Sequence, residues 1–564
     1  MSLLFLLITA IIALWGGYFI YGFFASKIFR LRDNIKTPAC EFKDDLDFVP
    51  TSKFYLLGQH LSAIAAAGPI VGPILAGMWF GWLPTILWII LGGIFIGGIH
   101  DMASLVASLR HKGKSIAEVI RENMSNRAFI LFLLFLWFSL IYIITAFTDI
   151  TAATFIDSER GAGVASSSMM YLALALVMGI TLKIFKPPLL ISSLVFLPFV
   201  FLCIYLGPFL PLRIPSLFGL SIHASWDILL IIYCFFASVI PVWLLLQPRG
   251  YLGGFFLSFT ALVAFIGLIL GSFTQNLLVQ YPAFTKWVNP QGLPLLPLLF
   301  TTVACGACSG FHAIVASGTT SKQVAKESDA RLIGFGGMLL ESFVALIALS
   351  TLLILSSAQM EKLKDPNQIY ANGIAVFLNS LGINKEFALN FALLAFATFV
   401  YDTLDVATRL GRYIFQELSG WRGKLSPYIA TALTLLLPAV FVTRKITDVN
   451  GNSVPTWKIF WTVFGSSNQL LAAMVLLGLS IWLFRKKMKF MITLLPAVFM
   501  MIVAVISLYF ILQPWFYAVF FQGKITVDPM VITSLILLSL TFLLVIEAIR
   551  IFVNPSRKAI AKQD

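Results

Sequence analysis

The chain has 564 residues, 59% of them hydrophobic and 11% charged, with a net charge of +14 and a mean hydropathy of +0.93. This balance excludes a soluble globular enzyme and a disordered chain, and it points to a polytopic membrane protein. Nucleic acid is not needed as a partner to explain the positive charge, because basic loops on one membrane face account for it.

A stretch of roughly 20 apolar residues crosses a hydrocarbon core of ~30 Å, and about fifteen such stretches follow one another here. The first, near 2–26, lacks a basic leader and is followed by Lys27, Arg30 and Arg32, so it reads as a retained helix with its N-terminus outside. A polar segment, DDLDFVPTSK at 44–53, then precedes the second span and is expected near an inner gate. That span carries Gly68-Pro69 and Gly72-Pro73 at its centre, which predicts a helix broken in mid-membrane with a new half-helix after Gly72-Pro73. The third span, 82–108, holds His100 and Asp101 behind a glycine cluster, and the loop 110–127 has the pattern of a short amphipathic surface helix. Asp149 lies in TDITAAT near the outer end of the span 127–156.

Spans near 227–246 and 252–274 follow, and then a second interrupted stretch, FTTVACGACSGFHAIVASG at 300–318. Its break is expected around Gly306, Ser309 and Gly310, with a half-helix starting near Ser309-Gly310. The next span sets Glu341 behind another glycine cluster, and the one after it carries Asp402 and Asp405. Asn468 and Gln469 sit inside the span 457–484, as hydrogen-bonding groups between helices or as substrate contacts. Two further spans lead to a basic tail with Arg557 and Lys558.

With the N-terminus outside, roughly three quarters of the 39 Lys and Arg fall on one side, which makes that side and the C-terminus cytoplasmic. The basic excess also favours contact with anionic membrane lipid. The broken spans are the second and the ninth. They therefore cross in opposite directions, as an inverted repeat requires. Asp101 follows Pro69 at nearly the distance at which Glu341 follows Gly310, and Asp149 and Asp405 occupy comparable settings. The expected fold is an all-α polytopic membrane protein, an inverted 5+5 helix repeat with two discontinuous helices and extra peripheral helices. Its expected parts are 1–55, an N-terminal helix and cytoplasmic segment; 56–208, the first repeat; 209–294, inserted helices; 295–484, the second repeat; and 485–564, peripheral helices and tail.

Broken helices free peptide groups that hydrocarbon cannot satisfy, so such backbone lines a cavity or is covered by protein. Half-helix N-termini there present N–H groups and a positive dipole end, and can hold a carboxylate without a buried arginine. The candidate substrate-binding residues are accordingly His60, Gly68, Pro69, Gly72, Ser309, Gly310 and His312. Charges inside the membrane are costly and therefore functional candidates, which singles out Asp101, Glu341, Asp405, Asp149 and Asp402 for proton or ion coupling. Sodium would use the freed carbonyls equally well. Structural pairing with a neighbouring arginine is the plain alternative for each carboxylate, with Arg409 and Arg412 closest in sequence to Asp402.

Cys305-x-x-Cys308 and His312 would share one helix face, and His60 or His100 could complete a metal site. Buried cysteine more often packs as a small hydrophobe, so no metal and no cofactor is expected. The chain contains no phosphate-binding loop, which leaves direct driving by ATP unsupported.

The strings DFVPTSKFYLLGQHLSAIAAAGPIVGPILA (47–76), ACGACSGFHAIVASGTTSK (304–322), GFGGMLLESFVALIAL (334–349) and DTLDVATRLGRYIFQEL (402–418) resemble the carbon starvation protein A family. The resemblance implies an inner-membrane transporter of the amino acid–polyamine–organocation superfamily type. It also implies uptake of pyruvate or short peptides when preferred carbon is scarce, with proton symport. Carried over by position, segments 68–73 and 305–312 would be the discontinuous helices lining the site. Three readings follow: a proton-coupled importer of small carboxylates or peptides, a solute-binding sensor or channel, and a membrane enzyme using thiols, a metal or paired aspartates. The oligomeric state is left open.

Overall fold

The computed structural model describes residues 2–554 apart from 45–47, 66, 157–159, 218, 242, 357–358, 361–362, 364, 422, 445–454 and 524–528. The basic tail at Arg557 and Lys558 and part of the 44–53 segment lie outside the described residues. Fourteen helices are long and apolar enough to cross a membrane, fifteen when one bent pair counts as a span.

In chain order they are α1 (Leu3–Phe29), the bent pair α2 (Lys53–Ile64) and α3 (Gly68–Phe80), α4 (Trp82–Arg110), α5 (Asn126–Phe155) and α6 (Gly161–Phe185). Next come α7 (Leu190–Phe209), α8 (Ile222–Val239), α9 (Leu246–Thr274), and the second interrupted span, Leu295–Lys322. That span divides into α10 (Leu295–Val303) and α11 (Gly310–Gly318). The chain continues with α12 (Arg331–Leu353), a short α13 (Pro366–Asn379), α14 (Lys385–Ser419), α15 (Ser426–Thr443), α16 (Thr456–Arg485), α17 (Met491–Gln522) and α18 (Met530–Val553). The broken spans stand second and ninth. If every span crosses, they run in opposite directions.

Burial separates core from periphery. The most apolar window of Leu295–Lys322 is 94% buried, that of α16 89%, and that of α1 only 22%. Side chains such as Phe5, Trp15 and Ile20 on α1, Leu190 and Leu194 on α7, and Phe520 and Phe521 on α17 point outwards. Those are the faces that hydrocarbon would solvate, whereas the interrupted backbone is covered on all sides by protein.

The two interruptions differ from one another. The first is a bend of 52° between α2 and α3, where Ala65 leaves the helical region with ψ 81°. The new helix starts at Gly68 with Pro69 in its first turn, a position where the missing N–H costs nothing. The expected start after Gly72-Pro73 is therefore corrected: Pro73 lies inside a continuous α3. The second interruption runs through a short 3₁₀ turn at Ala304–Gly306 to Ser309, and α11 begins at Gly310 as expected. Ala304 there adopts φ 37°, a conformation that costs an L-residue ~1–3 kcal/mol unless its surroundings hold it.

Glycine lets the two broken spans cross in contact. A methyl group on Gly72 would lie 2.5 Å from the Thr302 carbonyl oxygen and 2.8 Å from that of Val303. One on Gly68 would collide with the Cys305 side chain. Gly81, with φ 94°, makes the tight turn from α3 into α4 against the backbone of Ala283 and Phe284.

On the side expected to be cytoplasmic, the residues flanking the broken spans also meet. Val49 N–H donates to the Lys322 carbonyl and Thr51 N–H to that of Gln323, which ties the entry of α2 to the exit of α11. The loop 110–127 forms a helix at Ile116–Asn123, capped by the Ser115 hydroxyl and packed through Ile116, Val119 and Ile120.

Gly72→Ala must push two carbonyls aside, and it is expected to destabilise the protein by ~1–3 kcal/mol. Ala304→Gly, which relieves the positive φ, is expected to leave the unfolding midpoint unchanged or higher. Thermal unfolding of the purified protein in detergent checks both, and an unshifted midpoint for Gly72→Ala would contradict the crossing.

Candidate functional site

Asp101 lies in the second half of α4, and His312 in the first turn of α11, directly after the second break. Asp101 receives two imidazoles: His100 Nδ1 lies 2.7 Å from its Oδ1, and His312 Nδ1 lies 2.8 Å from its Oδ2. The other nitrogen of His312, Nε2, is 3.1 Å from Glu341 Oε2 on α12. All four residues have 0% exposure. One continuous polar chain, His100–Asp101–His312–Glu341, thus joins the spans that follow the two breaks.

The protons of this chain are constrained by valence. An ionised Asp101 only accepts, so each facing Nδ1 carries a hydrogen. His312 Nε2 then meets Glu341 in one of two ways. Either the imidazole is doubly protonated and the carboxylate ionised, or the imidazole is neutral and the carboxyl carries the proton. Both arrangements hold one proton between the two side chains. Without that proton, a lone pair would face a carboxylate in a site closed to water.

The backbone of the second break is held by α16. Asn468 Oδ1 accepts from Phe311 N–H at 3.2 Å, while its Nδ2 lies 3.0 Å from Ser309 Oγ and 3.5 Å from Cys305 Sγ. Gln469 Nε2 donates to the carbonyls of Cys308 and Phe300 at 3.0 and 3.2 Å. Of the two readings of Asn468 and Gln469, structural support is what these contacts display. The first N–H groups of α11 are partly occupied by a side chain rather than left open. His60, on α2, pairs through Nδ1 with Thr320 Oγ1 at 2.9 Å, and its ring edge lies beside Gly337, one turn before Glu341.

Among the sequence-derived candidates, Asp101, His312 and Glu341 come together, with Ser309, Gly310, Gly68 and Cys305 around the same crossing. The donor atoms of Cys305, His312 and Glu341 lie within 4.8 Å of one another, and Cys308 is not in that group.

Asp402 and Asp405 sit elsewhere, around an arginine that the hydropathy pattern leaves outside the spans. The spans expected near 227–246 and 252–274 are separated earlier than expected: α8 ends at Val239 and α9 starts at Leu246, so Arg249 lies in the first turn of α9, where it is 1% exposed. Its Nη1 hydrogen-bonds Asp405 Oδ2 and the Tyr233 hydroxyl, and its Nε lies 3.3 Å from Asp402 Oδ1. Tyr233 also donates to Asp405 at 2.8 Å, and Tyr171 donates to the Arg249 carbonyl at 3.0 Å. The buried cation facing Asp402 is therefore Arg249. Arg409 instead caps the end of α8, donating to the carbonyls of Ala237 and Ile240. Asp149 forms a third group, accepting Trp457 N–H at 2.7 Å and pairing with His223 at 3.1 Å.

Removing Arg249 would leave two buried carboxylates without their cation. Arg249→Met is expected to cost ~3–5 kcal/mol, whereas Arg249→Met combined with Asp402→Asn and Asp405→Asn recovers most of that loss. Monodisperse yield and unfolding midpoint of the two variants check this, and equal losses in both would refute it.

The sequence pattern of the family described as carbon starvation protein CstA matches residues 2–372 and 361–507. A relative from Helicobacter pylori, named peptide transporter CstA, is 33% identical over 551 residues, covering 86% of this chain and 78% of its own. The pyruvate/proton symporter BtsT of Escherichia coli is 30% identical over 596 residues, covering 89% of this chain and 80% of its own. A crystal structure of MhsT in complex with L-phenylalanine aligns over 89% of this chain and 98% of that chain, with TM-score 0.47 and 14% identity.

Proposed function

The chain belongs to the carbon starvation protein CstA family, and on that premise we propose that it is a secondary active transporter. It imports short peptides or pyruvate-like carboxylates by alternating access, with proton entry as the driving step, from outside to the cytoplasm. The names of its relatives support the substrate class. The observation that carries the coupling is the fully buried Asp101–His312–Glu341 chain, which links the start of α11 after the second break to α4 and α12, the spans that follow the two breaks.

With one proton held between His312 and Glu341, the chain bears one net negative charge; without it, two. Burying the second charge costs several kcal/mol, so the closed arrangement favours the proton-loaded state. When α11 moves away from α12, Glu341 gains water and the proton can leave. In this scheme Asp101 is the fixed counter-charge that keeps His312 oriented, and Glu341 is the member that loads and releases. Substrate sits at the crossing of the two breaks. The carboxylate would be held by the start of α3 at Gly68-Pro69, and by the Ser309-Gly310 turn once Asn468 yields its contacts, beside His60 and His312. Asp149, Asp402 and Asp405 tune the surrounding helices. The five-span repeats are the bodies that rock.

The test is uptake of radiolabelled pyruvate and of a dipeptide into proteoliposomes under an inward proton gradient, with a sodium gradient as control. The expected result is accumulation of at least one solute driven by the proton gradient alone. Glu341→Gln is expected to lower gradient-driven accumulation at least ~10-fold, a loss of ~1.4 kcal/mol of coupling or more, while counterflow exchange persists. Wild-type accumulation by Glu341→Gln, or dependence on sodium only, would overturn the assignment.

A further inference from the structure

Three helix ends meet around a second cluster of metal-ligating groups, away from the interrupted spans. Asp149 lies near the end of α5, His223 and Asp227 lie one turn apart at the start of α8, and Trp457 lies in the first turn of α16. The donor atoms of Asp149, His223 and Asp227 lie within 4.8 Å of one another. His223 Nε2 is 3.1 Å from Asp149 Oδ1, 3.2 Å from the Asp149 main-chain carbonyl oxygen and 3.9 Å from Asp227 Oδ2.

The hydrogen bonding of this cluster is incomplete in one place. Asp149 is satisfied on its far oxygen by the Trp457 N–H. Asp227 is 1% exposed, and neither of its carboxylate oxygens has a hydrogen-bond partner. A buried carboxylate without donors is costly, and one protonated imidazole cannot neutralise two carboxylates. His223 keeps 23% side-chain exposure, which leaves the cluster a path to solvent.

We propose that Asp149, His223 and Asp227 form a binding site for a borderline divalent cation, with zinc as the fitting representative. Imidazole nitrogen and carboxylate oxygen bind Zn²⁺ at ~2.0–2.2 Å. In a tetrahedron that radius sets neighbouring donors ~3.3–3.5 Å apart, and the two side-chain distances here bracket this value. Neutral His223 and two ionised aspartates supply two negative charges, which the ion cancels, and solvent entering past His223 supplies the fourth ligand. The second oxygen of Asp149, held by Trp457 N–H, orients the first towards the ion, as outer hydrogen bonds do in metal sites. The bound ion would tie α5 and α8 to the start of α16, the helix that carries Asn468 and Gln469. The site therefore acts as a clamp on the scaffold supporting the second break.

The test is zinc binding to the tag-free full-length protein in detergent, stripped with chelator, by competition with a fluorescent zinc indicator. One equivalent is expected, weakened at least tenfold in Asp227→Asn and in His223→Gln and unchanged in Cys305→Ser. Retention of full affinity by both His223→Gln and Asp227→Asn, or no binding to the wild type, overturns the proposal. Cobalt loading of the wild type reads the site without any variant. A four-coordinate visible spectrum lacking a thiolate charge-transfer band supports it, and a thiolate band places the ion at Cys305 and refutes it.

Discussion

Backbone that leaves the helix inside hydrocarbon must find its hydrogen bonds within the protein, and this structure is organised around that requirement. At the second break, the peptide groups between Ala304 and Phe311 are served by Asn468 and Gln469, two side chains reaching in from α16. At the first break, covalent choice does the same work. Proline at position 69 removes a donor that would otherwise be orphaned, and glycines at 68 and 72 let the carbonyls of Thr302 and Val303 approach closely. Each broken span thereby covers part of the other. This explains why the interrupted helices are among the most buried of the molecule rather than the most exposed.

The same economy governs charge. The membrane-embedded carboxylates fall into three groups, each built around one basic side chain: His312 for Asp101 and Glu341, Arg249 for Asp402 and Asp405, His223 for Asp149 and Asp227. In every case two acids face one central base, with His100 as a second, neutral imidazole on Asp101, so each group carries a surplus negative charge. The physical response differs with the base. A guanidinium keeps its charge and offers several donors, which makes the Arg249 group a fixed strut. Imidazole exchanges its proton in the physiological range, and it also ligates metals. The two histidine-centred groups are thus the ones with chemistry available to them, and they occupy different places in the fold: one at the helix breaks, one at the meeting of three helix ends.

Much of this is legible in the amino-acid sequence. Hydropathy and glycine–proline clusters locate the spans and the second interruption, and place the start of the half-helix after the first a turn too late, because these features act locally along the chain. Asp101, His312 and Glu341 each stand out singly, since an ionisable group in an apolar span is conspicuous. Their meeting is not legible, because it depends on α11 and α12 both packing against α4. Where sequence and fold disagree, the causes are also local. Arg249 falls between the spans read near 227–246 and 252–274 because the apolar run pauses there, whereas α9 starts at Leu246 and includes it. His223 and Asp227 do not stand out because the apolar run begins only at Asp227, which leaves the histidine outside it.

A transporter of this kind needs a group whose proton affinity depends on which helices are in contact, and position matters more for this than residue type. Asp405 is an intramembrane acid of the second half like Glu341, yet it is locked to Arg249, a partner that keeps its charge in every conformation. Glu341 faces a histidine carried on α11, the short helix that begins at the break, rather than a side chain with a permanent charge. A movement that re-aims α11 alters this contact first, and through His312 it alters Asp101 on the opposite half. In the proposed scheme, one proton between two side chains links the second break to the gradient. The remaining buried charges can stay paired throughout, holding the frame against which that single contact opens and closes.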